Sequence, residues 1–300
     1  MQLGTLSNQY FLGDSLPVAW LNLGPDVFAA FYGCPLYFGD YGTSWAESVL
    51  SDWNEVEKIS LDWANPYLKK LDEMTNALLE IGSGKFITGI TDLHVGGDGL
   101  ATIRGSLNLA MDLIHYPVSV RYFLERMEAD YFKSYDHFYQ KLKPAGMPIS
   151  IWVPLTCTDK FYIPSNDFSF NISAEMFAEF FLPGIQRECQ FLDHSLYHLD
   201  GAPALRHMEK LLSIPELDAI QFVLGPGQEQ CSQWMGVYRK IQLAGKGVQV
   251  CCHYRELDLV MQSLDPHGLF LTLSQVPNQF AAEKILAELC KWCLSYPKSR

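Results

Sequence analysis

Strands alternate with helices through the second half of the chain, and this order constrains the fold more than any other feature. Short apolar runs at 195–199, 219–223, 247–252 and 269–273 predict strands, and the amphipathic stretches between them predict helices. Units of this kind build parallel sheets with right-handed crossovers. An open doubly wound sheet would carry a Gly-x-Gly-x-x-Gly turn after its first strand, whereas this chain has Leu23-Gly24-Pro25. We therefore expect an α/β protein with a (β/α)8 TIM barrel.

The first half of the chain supplies three further predicted strands, at 16–23, 86–91 and 149–154, a Gly-rich turn at 96–99 and a long amphipathic helix at 119–142. A further helix is predicted at 174–192, with Ser173 as its N-cap and a kink at Pro183. A closed barrel needs eight strands, so Leu36 to Phe38 is the candidate for the missing one. No linker or internal repeat interrupts the chain, which predicts a single barrel domain over 1–300. Because the chain starts abruptly, we expect the barrel to be incomplete at its N-terminus.

Composition excludes several classes of partner. Lys and Arg number 22 against 34 Asp and Glu, a net charge of −12, so we expect neither nucleic acid nor a membrane surface as a partner. No apolar run reaches the roughly 20 residues that span a bilayer. The 8 cysteines are scattered through a chain that is 48% hydrophobic, which indicates reduced thiols in a cytoplasmic protein. The partner that remains is a small-molecule substrate.

His198 and Asp200 form the first candidate site. Both lie at the end of a predicted strand, and residues two apart on a strand project from the same face. Catalytic residues gather at the carboxyl ends of barrel strands. Imidazole and carboxylate both bind zinc and both transfer protons, so the pair is predicted to be metal ligands or an acid–base pair. The alternative is a histidine held by the carboxylate for structural reasons.

Asp92 and His94 have the same spacing after the strand predicted at 86–91. Gly96 and Gly97 follow them and would let the backbone approach a ligand closely. This pair is therefore a second catalytic candidate. The alternative is a loop aspartate that caps nearby backbone amides.

Cysteines form two motifs with different expectations. Cys252, in Cys251-Cys252-His253, ends a predicted strand and would be a third, softer metal ligand beside His198 and Asp200; His94 is the other candidate for that place. The favoured alternative for Cys252 is a small apolar core residue. Cys290 and Cys293 have C-x-x-C spacing without a second pair, so they are predicted to be core positions one helical turn apart.

The candidates for substrate contact share positions in or just beyond predicted strands. With 7 Trp, 15 Tyr and 18 Phe, the chain has enough aromatic residues to line a pocket. The candidates are Asn22, Trp152, Asp167, Gln221 and Gln275. For Asp167, the alternative is a turn stabilised by its own side chain.

Three stretches together resemble the uroporphyrinogen decarboxylase superfamily. They are TGITDLHVGGDGLATIRGSLNLAMDL at 88–113, NDFSFNISAEMFAEFFLP at 166–183 and YHLDGAPALRHMEKLLSIPELDAIQFVLG at 197–225. In strand–helix order, the resemblance runs from about Leu16 to Leu289. It implies a (β/α)8 barrel with a deep pocket at the carboxyl ends of the strands.

The decarboxylases of this superfamily need no cofactor and bind the pyrroles through an aspartate at the end of the first strand. The matching position here is Asn22, and the family's late-strand histidine matches Gln275. The Arg-rich N-terminal segment that holds propionate groups has no counterpart. A substrate with many carboxylates needs several cations, so we do not expect uroporphyrinogen as the substrate.

The second branch of the superfamily transfers methyl groups between corrinoids and thiols, and binds zinc through a His-x-Cys-Gly turn and a later cysteine. His198-Leu199-Asp200-Gly201 resembles that turn with Asp200 in place of the cysteine, and the later cysteine has no counterpart near Ser274. The resemblance implies zinc as a cofactor, a corrinoid as methyl carrier and a corrinoid protein as partner.

We therefore predict a corrinoid-linked methyltransferase that acts on a small molecule. The alternatives are a cofactor-free decarboxylase of a smaller acid, with His198 as proton donor, and a barrel that only binds a ligand. In each case His198, Asp92, Asp167 and His253 are predicted to converge at one mouth of the barrel, because each follows a strand.

Overall fold

The computed structural model of the chain describes residues 6, 9–40, 43–225, 227 and 230–296. The described part of the first half contains short strands. They are β1 (Val18–Ala19), β2 (Leu36–Phe38), β3 (Ser44–Ala46), β4 (Ile87–Thr88), β5 (Ile149–Ser150) and β6 (Thr156–Cys157). β1 and β4 pair in parallel, whereas β2 with β3 and β5 with β6 form antiparallel pairs.

The pairing of β2 corrects the prediction that Leu36–Phe38 is the eighth barrel strand. A barrel strand runs parallel to its neighbours, and a parallel neighbour requires a crossover of a dozen or more residues. β2 instead turns back directly into β3, with Leu36 opposite Ala46 and Phe38 opposite Ser44. This hairpin lies outside the parallel sheet.

Five parallel strands form the central sheet, which curls like half of a barrel. Along the chain they are β7 (Phe161–Tyr162), β8 (His194–Asp200), β9 (Ala219–Val223), β10 (Gly247–His253) and β11 (Leu269–Ser274). Their spatial order is β11-β10-β9-β8-β7, so each of the last four strands lies beside its predecessor. The four strands predicted for the second half are confirmed to within one residue at each end. β7 was not predicted.

β4 and β5 lie side by side, and the Ile90 N–H just after β4 donates to the Ser150 carbonyl of β5 at 2.8 Å. Within the described residues, the hydrogen-bonded strand pairs do not join into a closed ring of eight. The observed architecture is therefore a mixed α/β fold around a parallel half-barrel.

Helices cover the outside of the strands. They are α1 (Val27–Ala30), α2 (Pro66–Gly82), α3 (Gly96–Arg104), α4 (Ser106–His115), α5 (Pro117–Leu142), α6 (Ala174–Met176), α7 (Leu182–Phe191), α8 (Met208–Leu212), α9 (Met235–Leu243), α10 (Leu257–Ser263) and α11 (Gln279–Ser295). The start of α3 corrects the prediction of a Gly-rich turn at 96–99, because these residues form the first turn of the helix. Asp98 in its first turn, beside the positive end of the helix dipole, favours the helix.

The long helix α5 packs its apolar stripe into the core, as predicted from its period. Its fully buried side chains include Val120, Phe123, Met127, Tyr131 and Tyr135. Tyr131 and Tyr135 each meet Tyr162 of β7 edge to face, with ring centroids 5.7 and 5.8 Å apart. Aromatic packing therefore holds α5 against the edge of the sheet that carries residues 163–168.

The helix predicted at 174–192 is interrupted by a π-helical turn at Phe177–Phe181. Its N-cap is confirmed, since Ser173 Oγ accepts from the Met176 N–H at 3.2 Å. Pro183 has no N–H to donate, and the Leu182 N–H reaches back to the Phe177 carbonyl five residues earlier. The interruption predicted at Pro183 thus takes the form of a π turn, which is common beside functional sites.

The C-terminal helix α11 corrects the prediction for Cys290 and Cys293. Both thiols are exposed, and no residue of α11 is buried. The spacing of one turn places both cysteines on one helix face, but their side chains lie at the surface rather than in the core. Among the helices described, none is long and apolar enough to cross a membrane.

Candidate functional site

A large cavity lies at the carboxyl ends of β8 to β11, where a parallel sheet places its functional residues. Its volume is about 660 Å³. The polar and sulfur-bearing residues that line it are Asp200, Gln221, Gln249, Cys251, Cys252, His253, Ser274 and Gln275. Five of these eight were singled out as site candidates from the sequence: Asp200, Gln221, Cys252, His253 and Gln275.

His198 borders this cavity through Gln221, its neighbour across the β8–β9 ladder. The His198 Nδ1 lies 2.6 Å from Gln221 Oε1, so Nδ1 carries the proton that the amide oxygen accepts. This leaves Nε2 with its lone pair, 3.8 Å from Asp167 Oδ1. Strand pairing thus places Gln221 where it fixes the tautomer of His198, and the unprotonated Nε2 of His198 faces Asp167.

Asp92 and His94 lie in a buried network behind His198. His94 Nε2 is 2.7 Å from Asp92 Oδ1, and its Nδ1 is 3.2 Å from Ser165 Oγ and 3.8 Å from Asp98 Oδ2. Burial disfavours the imidazolium, but the charges of Asp92 and Asp98 hold the pKa of His94 well above its ordinary value. His94 is therefore a cation at neutral pH, held between carboxylates.

Asp98 anchors the network, although sequence reasoning did not select it. Its carboxylate accepts from Ser165 Oγ at 3.0 Å and from the Phe168 N–H at 2.8 Å. Burial acts to raise the pKa of Asp98, but the adjacent His94 cation and the backbone N–H groups of Phe168 and Asp167 keep it below its ordinary value. The sequence signal for Asp98 is its place as an acid in the first turn of a helix. This signal depends on knowing that α3 begins at Gly96.

Asp167 lies in the segment between Ser165 and Phe168, and the hydrogen bonds of these two residues to Asp98 hold that segment in place. The side chain of Asp167 is 48% exposed, but partial desolvation and the nearby Asp98 charge raise its pKa to about 6. Asp167, His94 and Asp98 line a second cavity of about 330 Å³. His198 therefore stands between two cavities, touching Gln221 of the larger one and facing Asp167 of the smaller one.

Replacing Asp167 with asparagine should stabilise the protein at neutral pH. The folded-state pKa of about 6 lies above the ordinary 3.8, so the wild type loses stability as pH rises from about 4 to about 6. Asparagine has no charge to lose, so the variant's advantage should be absent near pH 4 and complete above about pH 7. Urea unfolding at both pH values measures it. Asp14→Asn, at another exposed position, is the control, and equal stability of Asp167→Asn and wild type at both pH values would contradict the raised pKa of Asp167.

Trp152 lies between the two candidate histidines. Its ring centroid is 5.4 Å from that of His94 and 6.3 Å from that of His198, where the rings meet edge to face. A second indole, Trp20, lies 6.1 Å away on the other side. One indole therefore lies against both histidines and a second packs beside it, but neither lines the two cavities that flank His198.

Asn22 lies in a turn, and Gln275 has a strained backbone conformation. Asn22 is exposed, and its Oδ1 accepts from the Gly24 N–H at 2.6 Å, closing the turn after β1. Gln275 lines the larger cavity and has a φ of 59°, a left-handed conformation that glycine usually adopts. Such strain in a non-glycine residue is typical of functional sites. Gln275 is therefore the better placed of the two to contact a ligand.

The residues predicted as zinc ligands do not assemble a metal site. Within the described residues, no group of three His, Cys, Asp or Glu side chains could hold a metal ion. His198 Nδ1 is committed to Gln221, and Cys252 is buried, with its pKa lowered by a hydrogen bond from Cys231. A catalytic zinc requires three protein ligands, and this donor set does not fit it.

Comparisons with known proteins show a similarity of fold but none of sequence. No protein-family profile matches the chain, and neither does any curated protein sequence. A methyltransferase from Methanosarcina mazei has a similar solved structure, with a TM-score of 0.60 and 7% sequence identity over 91% of this chain and 80% of that one. At this identity, the similarity is one of fold alone. The chain therefore has the fold of that methyltransferase.

Proposed function

We propose that this chain is a TIM-barrel enzyme of the uroporphyrinogen decarboxylase type that transfers a methyl group to a small molecule. One observation carries the proposal: His198 presents a basic Nε2 beside Asp167, between two cavities, with its tautomer held by Gln221. The fold shared with a methyltransferase supports the same class of reaction.

The proposed step needs one base. An acceptor of the form X–H gives its proton to His198 Nε2 while a bond forms between X and the methyl carbon. The bond between that carbon and the donor breaks, and its electron pair stays on the donor. Asp167, with its pKa raised to about 6, faces the imidazolium that results and stabilises it as the carboxylate. The methyl donor in this proposal would be a methylated corrinoid carried by a partner protein, as the resemblance to the methyltransferase branch implies.

The lining of the larger cavity favours a neutral or cationic substrate. It contains Asp200 and the amides of Gln221, Gln249 and Gln275, and no lysine or arginine belongs to it. A carboxylated substrate would lack the cationic partner that such groups require in buried sites. This argues for methyl transfer over the decarboxylation of an acid.

The proposal uses no zinc, since the described donors do not form a three-ligand site. The acceptor must then be activated by proton removal at His198 rather than by coordination. Elemental analysis of the purified protein that found one zinc per chain would require this part of the proposal to be replaced.

Methyl transfer can be tested directly. The protein is incubated with methylcobalamin and a panel of small thiols, amines and phenols, and methylated products are identified by mass spectrometry. Loss of the methylcobalamin absorbance should accompany product formation. Absence of any product above the rate without protein, across the panel, would leave a barrel that only binds its ligand.

Uroporphyrinogen should not be decarboxylated. Asn22 stands where the decarboxylases have an acid, and its side chain is engaged by the Gly24 N–H. Each missing charge-assisted contact costs about 1.5–3 kcal/mol, so several together abolish useful binding. The assay is anaerobic, with product porphyrins separated by carboxylate number. Formation of coproporphyrin above background would overturn this assignment, and Asn22→Asp would then be compared with the wild type.

A further inference from the structure

A third cavity lies apart from the two that flank His198. Its volume is about 110 Å³, and it is enclosed by α5, the π turn, α7 and residues 165–166. None of its lining residues lines either of the other two cavities. One water-sized probe position accounts for roughly 10–15 Å³ of such a volume, so the cavity has room for a few non-hydrogen atoms.

Asn166 is an unpartnered polar group directed into this cavity. The residue is 3% exposed, and neither its Oδ1 nor its Nδ2 has a hydrogen-bond partner in the described part of the chain. Gly97 makes space for it, because a Cβ at that position would lie 2.2 Å from Asn166 Oδ1. Buried amides are nearly always hydrogen-bonded, so a bound molecule is expected at this side chain.

The two arginines that line the cavity are paired with two of its four glutamates. Arg187 donates to both carboxylate oxygens of Glu128, at 2.6 and 2.5 Å, and Arg121 is paired with Glu179. These pairs use every lysine and arginine that lines the cavity. Of the other two glutamates, Glu125 is exposed, whereas Glu188 is 4% exposed and has no cation paired with it in the described part of the chain. A buried carboxyl group in this position favours a ligand that brings positive charge.

We propose that this cavity binds ammonium or a small primary ammonium ion, with Asn166 Oδ1 and the Glu188 carboxylate as its hydrogen-bond acceptors. N–H donors satisfy an amide oxygen and a carboxylate by directed hydrogen bonds, which suits a site with few oxygen ligands. A divalent metal needs more carboxylates than converge here, and the described residues contain no such cluster. The proposal does not depend on methyl transfer at His198.

Binding should release a proton. Burial and the neighbouring Glu128 raise the pKa of Glu188 to about 8, so its carboxyl group is mostly protonated at neutral pH. A bound cation favours the carboxylate, and the proton leaves to solvent. Affinity should therefore fall as pH drops below about 8. The other titratable groups that act electrostatically on Glu188, or on which it acts, are Glu128, Asp98, His94, Arg187, Tyr131, Tyr162, Cys189 and Tyr197.

The test compares ammonium chloride and methylammonium chloride with sodium chloride and tetramethylammonium chloride at equal ionic strength, on the full chain. Ammonium should raise the unfolding temperature with a saturable dose dependence, whereas sodium and tetramethylammonium, which lack N–H donors, should not. Isothermal titration calorimetry near neutral pH, in two buffers of different ionisation enthalpy, should show net proton release on ammonium binding.

Glu188→Gln should weaken ammonium binding by about tenfold or more and abolish the proton release. Glu80→Gln, at an exposed position on α2, is the matched control and should change neither. Gly97→Ala displaces the Asn166 amide while keeping Glu188, so it should also weaken binding and covers the case in which Glu188→Gln fails to fold. Equal effects of sodium and ammonium, or proton release retained in Glu188→Gln, would overturn the proposal in favour of a cavity that holds water alone.

Discussion

Replacing His198 with glutamine is expected to lower the rate of methyl transfer by about 10²–10⁴-fold while leaving the unfolding midpoint nearly unchanged. The loss follows from removing the base whose Nε2 faces Asp167. Stability should change little because glutamine retains an N–H group that can donate to Gln221 Oε1 in place of His198 Nδ1. Methylated product per unit time, measured at saturating acceptor, gives the effect.

His267→Gln is the control for this experiment. His267 is exposed and pairs with Asp265 at 2.8 Å, away from the cavities, so its replacement should leave the rate as it is. Gln221→Leu should cause a smaller loss, about tenfold, because the base remains but its tautomer is no longer held. Wild-type activity in His198→Gln would show that another group removes the proton.

Replacing Asp98 with alanine is expected to destabilise the protein by about 3 kcal/mol, the largest stability effect among these variants. The change leaves the buried His94 cation with Asp92 alone and removes the acceptor for Ser165 Oγ and the Phe168 N–H. Residues 165–168 would then lose their anchor, so activity should fall as well. Urea unfolding at neutral pH measures the free energy.

Asp258→Ala provides a matched comparison, because Asp258 also lies in the first turn of a helix but is exposed. Losing its interaction with the helix dipole should cost about 0.3–1 kcal/mol. If the two variants were equally stable, Asp98 would be acting only through the helix dipole and not as the anchor of the network.

Local patterns were enough to predict the strands that carry the site. The four apolar runs of the second half became β8 to β11 because each is short, apolar and bounded by turn residues, and these properties depend on neighbouring residues alone. The same holds for the cap at Ser173 and the interruption at Pro183, which follow from one hydroxyl and one missing N–H. The i, i+2 spacing also placed His198 and Asp200 on the strand that borders the larger cavity.

Local patterns could not predict contacts between segments that lie far apart in the chain. The Asp98 carboxylate meets residues about 70 positions later in the chain, and Gln221 meets His198 from the adjacent strand. Which partner an acid or an imidazole finds decides its pKa and its tautomer, so sequence reasoning could name His94 and Asp167 without assigning their charge states.

The sequence by itself determined the alternation of strands and helices and the chemistry available at the strand ends, because periodicity and residue type are local properties. Tertiary structure alone decided that Leu36–Phe38 pairs in a hairpin, that the predicted zinc ligands do not converge, and that Asn166 and Glu188 share a cavity. The reason is physical: strand partners, ligand geometry and desolvation are set by segments that come together only when the chain folds.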